Sequence, residues 1–103
     1  MLEKIIEKSL VDQVKRIGGK AYKFVSPGNR GVPDRILLLP AGRIVFVELK
    51  SSSGKSTPIQ MQKQKEIAKL GFPVFVINSK AGVNQLLKDV VSNVFPASPL
   101  SKL

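Results

Sequence analysis

Two apolar runs, Arg35 to Leu39 (RILLL) and Arg43 to Lys50 (RIVFVELK), are separated only by Pro40-Ala41-Gly42. Short runs rich in Leu, Ile, Val and Phe read as strands, and a three-residue turn between them predicts an antiparallel hairpin. The second run is apolar at nearly every position, so both its faces are covered and it is a central strand. Alternation along it puts Phe46, Glu48 and Lys50 on one face and Val45, Val47 and Leu49 on the other. A charged pair at the end of a central strand is costly unless something uses it.

The flanking sequence supplies the other elements. Leu2, Ile5, Ile6, Leu10, Val14 and Ile17 recur at three- and four-residue spacing, which predicts a helix over residues 2–17 ended by Gly18-Gly19. Residues 21–25 (AYKFV) read as a first strand, with Tyr22 and Phe24 on one face and Lys23 on the other. Residues 26–31 (SPGNRG) form a loop that delivers the chain to Val32-Pro33-Asp34. After a Ser/Gly/Lys loop over 51–56, Thr57 is the N-cap of a second helix, Pro58 its first residue and Gln60 the closing member of a capping box. That helix reaches Leu70 and stops at Gly71; residues 73–78 (PVFVIN) are a fourth strand and 83–91 a last helix. The order predicts an α/β fold with a mixed central sheet flanked by helices. Strands 1–3 are antiparallel and strand 4 joins through a helical crossover. Residues 1–95 make one domain and residues 96–103 a flexible tail.

Composition removes whole classes of chemistry. The 103 residues contain neither Cys nor His, which excludes disulfides, cysteine- or histidine-held zinc and the Ser-His-Asp and Cys-His mechanisms. Any metal is therefore held by oxygen, which favours Mg²⁺ or Mn²⁺. Seventeen Lys and Arg against seven Asp and Glu point to a polyanionic partner, with nucleic acid ahead of an anionic membrane surface. The basic residues are scattered from Lys4 to Lys102, which favours a folded basic surface. No apolar stretch is long enough to span a bilayer, and charge alternates with apolar residues from Glu3 onward, unlike a secretory signal. The expected location is the cytoplasm.

Asp34 opens the second strand and Glu48 lies near the end of the third, so the hairpin carries both to one open end of the sheet. Two carboxylates with the Leu49 main-chain carbonyl form an oxygen-rich half-cage suited to Mg²⁺. A metal there lowers the pKa of a bound water and polarises a phosphoryl oxygen. Lys50, on the face of Glu48, would orient or deprotonate the water or offset charge on phosphorus. Alone, Glu48-x-Lys50 is also an ordinary ion pair on a strand, and Asp34 a turn residue after proline. Their convergence through one hairpin favours a site.

The string Ser26-Pro27-Gly28, Gly31-Val32-Pro33-Asp34-Arg35, Phe46-Val47-Glu48-Leu49-Lys50 and then Gln60 resembles the PD-(D/E)XK nuclease superfamily. More narrowly it resembles the VRR-NUC (virus-type replication-repair nuclease) family in its minimal stand-alone phage form, over residues 3–78. The resemblance implies a restriction-endonuclease-like α-β-β-β-α-β core, with Asp34 and Glu48 as metal ligands, Lys50 as the catalytic lysine and Gln60 completing the motif. The family also uses a Glu from the first helix. Glu3 fits best, with Glu7 in reserve at a position where relatives often carry Gln. The implied activity is a Mg²⁺- or Mn²⁺-dependent DNA endonuclease acting in DNA repair on branched substrates such as Holliday junctions or flaps. The implied assembly is a homodimer, working in the bacterial host cytoplasm if phage-encoded. Phosphate contacts are expected from Lys23, Arg30, Arg35 and Lys55, with Lys15 and Lys20 as weaker candidates. The other readings are a catalytically silent DNA-binding module on the same fold, and a nuclease acting on RNA or DNA ends. No aromatic platform for single strands is evident in the sequence.

Overall fold

The hairpin forms as the sequence requires. In the computed structural model, which describes residues 2–92, helix α1 (Glu3–Arg16) precedes strands β1 (Lys20–Lys23), β2 (Arg35–Leu39) and β3 (Arg43–Leu49). Helix α2 (Pro58–Lys69), strand β4 (Val74–Ile77) and helix α3 (Lys80–Val91) follow. The expected tail at 96–103 lies outside the described residues. Between β2 and β3, Pro40–Gly42 is a single 3₁₀ turn. Ala41 (φ 67°) and Gly42 (φ 72°) both sit in the left-handed region there, which lets so short a segment reverse the chain.

The sheet runs β1-β2-β3-β4, antiparallel through β3, with β4 parallel to β3 through the α2 crossover. Two alternating sets of side chains leave it. Leu37, Leu39, Val45, Val47 and Leu49 point to one face and close on Ile6, Leu10 and Val14 of α1 and Val83, Leu86, Leu87 and Val90 of α3. Each such side chain, taken from water, contributes about 1.5–3 kcal/mol, so this layer is the main source of stability. The other face carries Phe46, Glu48 and Lys50, and α2 lies over its site end. Tyr22 and Leu38 stay largely exposed on that face, at 53% and 40%.

The boundaries shift by one to three residues. β1 ends at Lys23 rather than at residue 25, because Val25 is exposed and beyond the ladder. Ala21 is its core-facing residue. The last helix starts three residues earlier than its apolar spacing indicates. Ser79 caps it by accepting a hydrogen bond from the Gly82 amide (3.0 Å).

Candidate active site

Register brings the two carboxylates together. Arg35 pairs with Val47 in the β2–β3 ladder, so one step further Asp34 faces Glu48, and directly opposed positions of an antiparallel pair have Cβ atoms about 5 Å apart. Asp34 is pinned there on both sides. Its Oδ2 accepts a hydrogen bond from the Leu49 amide at 2.8 Å, and its carbonyl accepts one from the Phe24 amide at 2.7 Å.

Glu48 is fully buried at 1% exposure. Its Oε2 accepts from Gln60 Nε2 at 3.3 Å and lies 3.5 Å from Lys50 Nζ, while no N–H reaches its buried Oε1, and the carboxyl hydrogen-bonds the Asp34 carboxyl through a shared proton. Burial and then the adjoining Asp34 raise its carboxyl to about 8, against a smaller lowering by Lys50. Even with the Lys50 ammonium 3.5 Å away, this carboxyl holds its proton at neutral pH. A buried carboxylate oxygen with no donor is stable in ionised form only when a cation meets it.

Gln60 both caps α2 and contacts the Glu48–Lys50 pair. Its Oε1 accepts from the Thr57 amide (2.8 Å), closing the capping box, and also from Lys50 Nζ (2.8 Å), while its Nε2 reaches Glu48. The cap fixes the rotamer and the rotamer holds the lysine. Gly31 allows this placement. At φ +87° it lies against the start of α2, where a Cβ would meet the Ile59 carbonyl oxygen at 2.9 Å and the Gln60 nitrogen at 3.1 Å.

A cavity of about 250 Å³ opens beside Asp34 and is lined by Glu3, Glu7, Lys23, Phe24, Asp34 and Leu49. The two glutamates of α1 are thus both at the site but in different states. Glu7 is engaged by Arg35 Nη2 at 2.9 Å, while Glu3 is exposed at the cavity edge. Among the described residues no group of three or more acidic side chains converges closely enough to hold an ion alone. Asp34 and Glu48 are adjoining carboxyls, with the Leu49 amide bound to Asp34 Oδ2.

The expected phosphate contacts separate. Lys23 lines the cavity, and Arg30 and Lys55 are exposed on the loops that flank the site. Arg35 does not belong with them. It is only 8% exposed, with Nη1 donating to the Ala21 carbonyl (3.0 Å) and Nη2 bound to Glu7. Its strand position turns it inward under α1, so it braces the helix that carries Glu3 and Glu7. Lys20 and Lys15 are exposed near the opposite ends of β1 and α1, away from the carboxylates.

Two features were not legible in the sequence. Buried Gln64 donates to Ser56 Oγ (3.0 Å), tying the 51–56 loop to α2. Phe24, Phe46 and Phe72, from three separate segments, also gather into one aromatic cluster beside the site.

No family model matches the chain. Its sequence is 53% identical over 78 residues to "Putative nuclease p44" of Acyrthosiphon pisum secondary endosymbiont phage 1, spanning 76% of this chain and 84% of that protein. A solved VRR_NUC domain superposes with a TM-score of 0.78 at 32% identity, covering 84% of this chain and 94% of the other. The chain belongs to the VRR-NUC family. A second solved VRR_NUC domain protein, 17% identical and covered to 95% on both sides, shares the fold with a TM-score of 0.71. The VRR-NUC core thus accounts for the mixed four-stranded sheet and its flanking helices. No helix among the described residues is long and apolar enough to cross a membrane.

Proposed function

We propose that this VRR-NUC protein is an endonuclease that hydrolyses DNA phosphodiester bonds with Mg²⁺ or Mn²⁺, and that branched DNA is its substrate. The observation that carries the reading is Glu48. It is a fully buried carboxyl with one oxygen that no N–H reaches, sharing a proton with a second carboxyl, Asp34, beside a lysine held by a capped glutamine. Such a group weakens the fold unless chemistry requires it.

The donor set fits a hard divalent cation. Asp34, Glu48 and the Leu49 carbonyl would hold it, with Glu3 reaching in from α1, and water and substrate phosphate completing the shell. When bound, the cation polarises a phosphoryl oxygen and makes an attacking water more acidic. Lys50 Nζ, held 2.8 Å from Gln60 Oε1, orients that water and offsets charge as the phosphorus becomes pentavalent. Gln60 keeps Lys50 and Glu48 in register with each other. Lys23, Arg30 and Lys55 contact flanking phosphates, in keeping with the net charge of +10.

The domain over residues 1–95 carries this activity, in the cytoplasm of a bacterial host. Two coordinated cuts on a branch point need two active sites, so the working form is a symmetric homodimer. The exposed Tyr22 and Leu38, on the sheet face that α2 leaves open, support a self-complementary contact.

The test is incubation of four-way junction, flap, linear duplex and single-stranded DNA with Mg²⁺, Mn²⁺ or EDTA. Cleavage of branched DNA with either cation and none in EDTA is expected. Binding without cleavage under every condition would leave a silent DNA-binding module, and equal cutting of all substrates would remove the branched preference.

A further inference from the structure

Beside the acidic cavity lies a second one, of about 250 Å³, between α2 and the loop that leads into β2. Its walls are aromatic. The Phe24 and Phe46 rings are 5.5 Å apart between centroids and the Phe46 and Phe72 rings 5.9 Å apart, tilted and edge-on respectively. Its rim is polar, with Ser26 and Asn29 on the loop side and the Lys63–Glu66 ion pair (3.4 Å) on the α2 side. Phe72 is 39% exposed, so solvent reaches an aromatic ring here.

Position distinguishes this cavity from an ordinary crevice. Phe24 lines both cavities, so the aromatic one and the acidic one share a wall. On β3, Phe46 and Glu48 point to the same face two residues apart, a separation of roughly 7 Å. A single nucleotide bridges that span between its phosphate and its own base. The cavity also matches a base in kind, since a nucleobase has two π-faces and a polar edge.

We propose that the Phe24–Phe46–Phe72 cavity takes one unstacked nucleobase of the DNA strand whose phosphate lies at Asp34 and Glu48. Bases inside a continuous duplex stay stacked and paired and cannot enter, whereas a nucleotide at a branch point or in a flap is already free. The cavity therefore selects the place of cutting by base accessibility, with no reading of base identity required. This rests on the nuclease reading above and gives its branched-DNA preference a physical source.

The experiment uses a flap DNA with 2-aminopurine at the unpaired nucleotides flanking the cut, whose position is mapped with the wild-type protein. Its fluorescence is followed on binding to Glu48→Gln, alone and combined with Phe72→Leu or Phe72→Ala. Phe72→Leu keeps an apolar side chain and the fold while removing the ring. Quenching is expected in the Glu48→Gln complex and its loss in both double variants. Flap affinity should fall roughly 5- to 100-fold in the double variants, the range for losing a base–aromatic stack, with continuous-duplex affinity changed less than about twofold. An unquenched probe, or equal loss on flap and duplex, overturns the base cavity while leaving a cutting wild-type enzyme intact. A change of oligomeric state in Phe72→Leu by light scattering reassigns the cavity to a second copy and also overturns it. If wild-type protein cuts no DNA, the nuclease reading and this proposal fall together.

Discussion

Glu48→Gln tests the site through folding stability as well as cleavage. Burial first, and Asp34 second, raise the folded-state carboxyl from 4.5 to about 8, with Lys50 offsetting part of the rise. Below pH 4.5 the group is neutral in both folded and unfolded chains and its contribution is fully present. Between that value and about 8 only the unfolded chain ionises, so each pH unit removes about 1.4 kcal/mol of stability. By about pH 7 the accumulated loss is on the order of 3 kcal/mol. Gln is nearly isosteric and neutral at every pH, so it loses none of this. In EDTA the variant should melt roughly 10–20 °C above wild type near neutral pH for a chain of this size, and close to it near pH 4.5. Mg²⁺ should restore the wild type's lost stability, by binding the ionised carboxylate, and leave the variant's melting unchanged. Cleavage should be lost in the variant throughout. Thermal melts of both proteins across pH, with EDTA and with Mg²⁺, provide the measurement. A difference between the two proteins that is flat from about pH 5 to 8 would refute the buried-carboxyl argument.

Gln60→Glu keeps the acceptor for the Thr57 amide and Lys50 but cannot donate to Glu48, so cleavage should fall at least about tenfold. Thermal stability, read by melting, should move by no more than about 1 kcal/mol; unchanged cleavage would remove Gln60 from the site. Gly31→Ala sets a Cβ 2.9 Å from the Ile59 carbonyl oxygen and should slow cleavage far more than Gly28→Ala. The latter position shares a positive φ but has nothing within 4 Å, leaving only a left-handed cost of about 1–2 kcal/mol; equal kinetic effects would refute the positioning role. Arg35→Met breaks the pair with Glu7 and should cost roughly 1–3 kcal/mol of stability, discounted because Glu7 is partly exposed. It should leave the salt dependence of DNA binding unchanged, whereas Lys23→Ala should reduce the slope of log K against log salt by about one. Binding titrations across salt separate the two.

Local signals brought Asp34, Glu48, Lys50 and Gln60 together. The three-residue turn set the β2–β3 pairing, and pairing with period-two alternation is enough to oppose Asp34 to Glu48 and to put Lys50 beside Glu48. Thr57-Pro58-Ile59-Gln60 marks a helix start within four residues, so Gln60's place on α2 was readable too. In the sequence Arg35 reads as a phosphate contact because it is a cation at a strand start next to a predicted ligand. Whether it faces DNA or a helix depends on α1 crossing above it, and α1 is remote in sequence. The Phe24–Phe46–Phe72 cluster is not encoded locally for the same reason.

The sequence by itself therefore determined the element order, the strand pairing, the absence of any Cys or His donor and the convergence of Asp34, Glu48, Lys50 and Gln60. Each follows from turn length, side-chain alternation, a capping box or an absent residue type, all of which act over a few neighbouring positions or over composition. The tertiary structure alone decided that Glu48 is sealed from water with one oxygen that no N–H reaches, and that Arg35 spends its charge on Glu7. It also decided that Gly31 seats the site loop on α2 and that three phenylalanines line a cavity next to the carboxylates. Burial, desolvation and ring packing depend on which distant surfaces close over a residue. No local pattern encodes that closure.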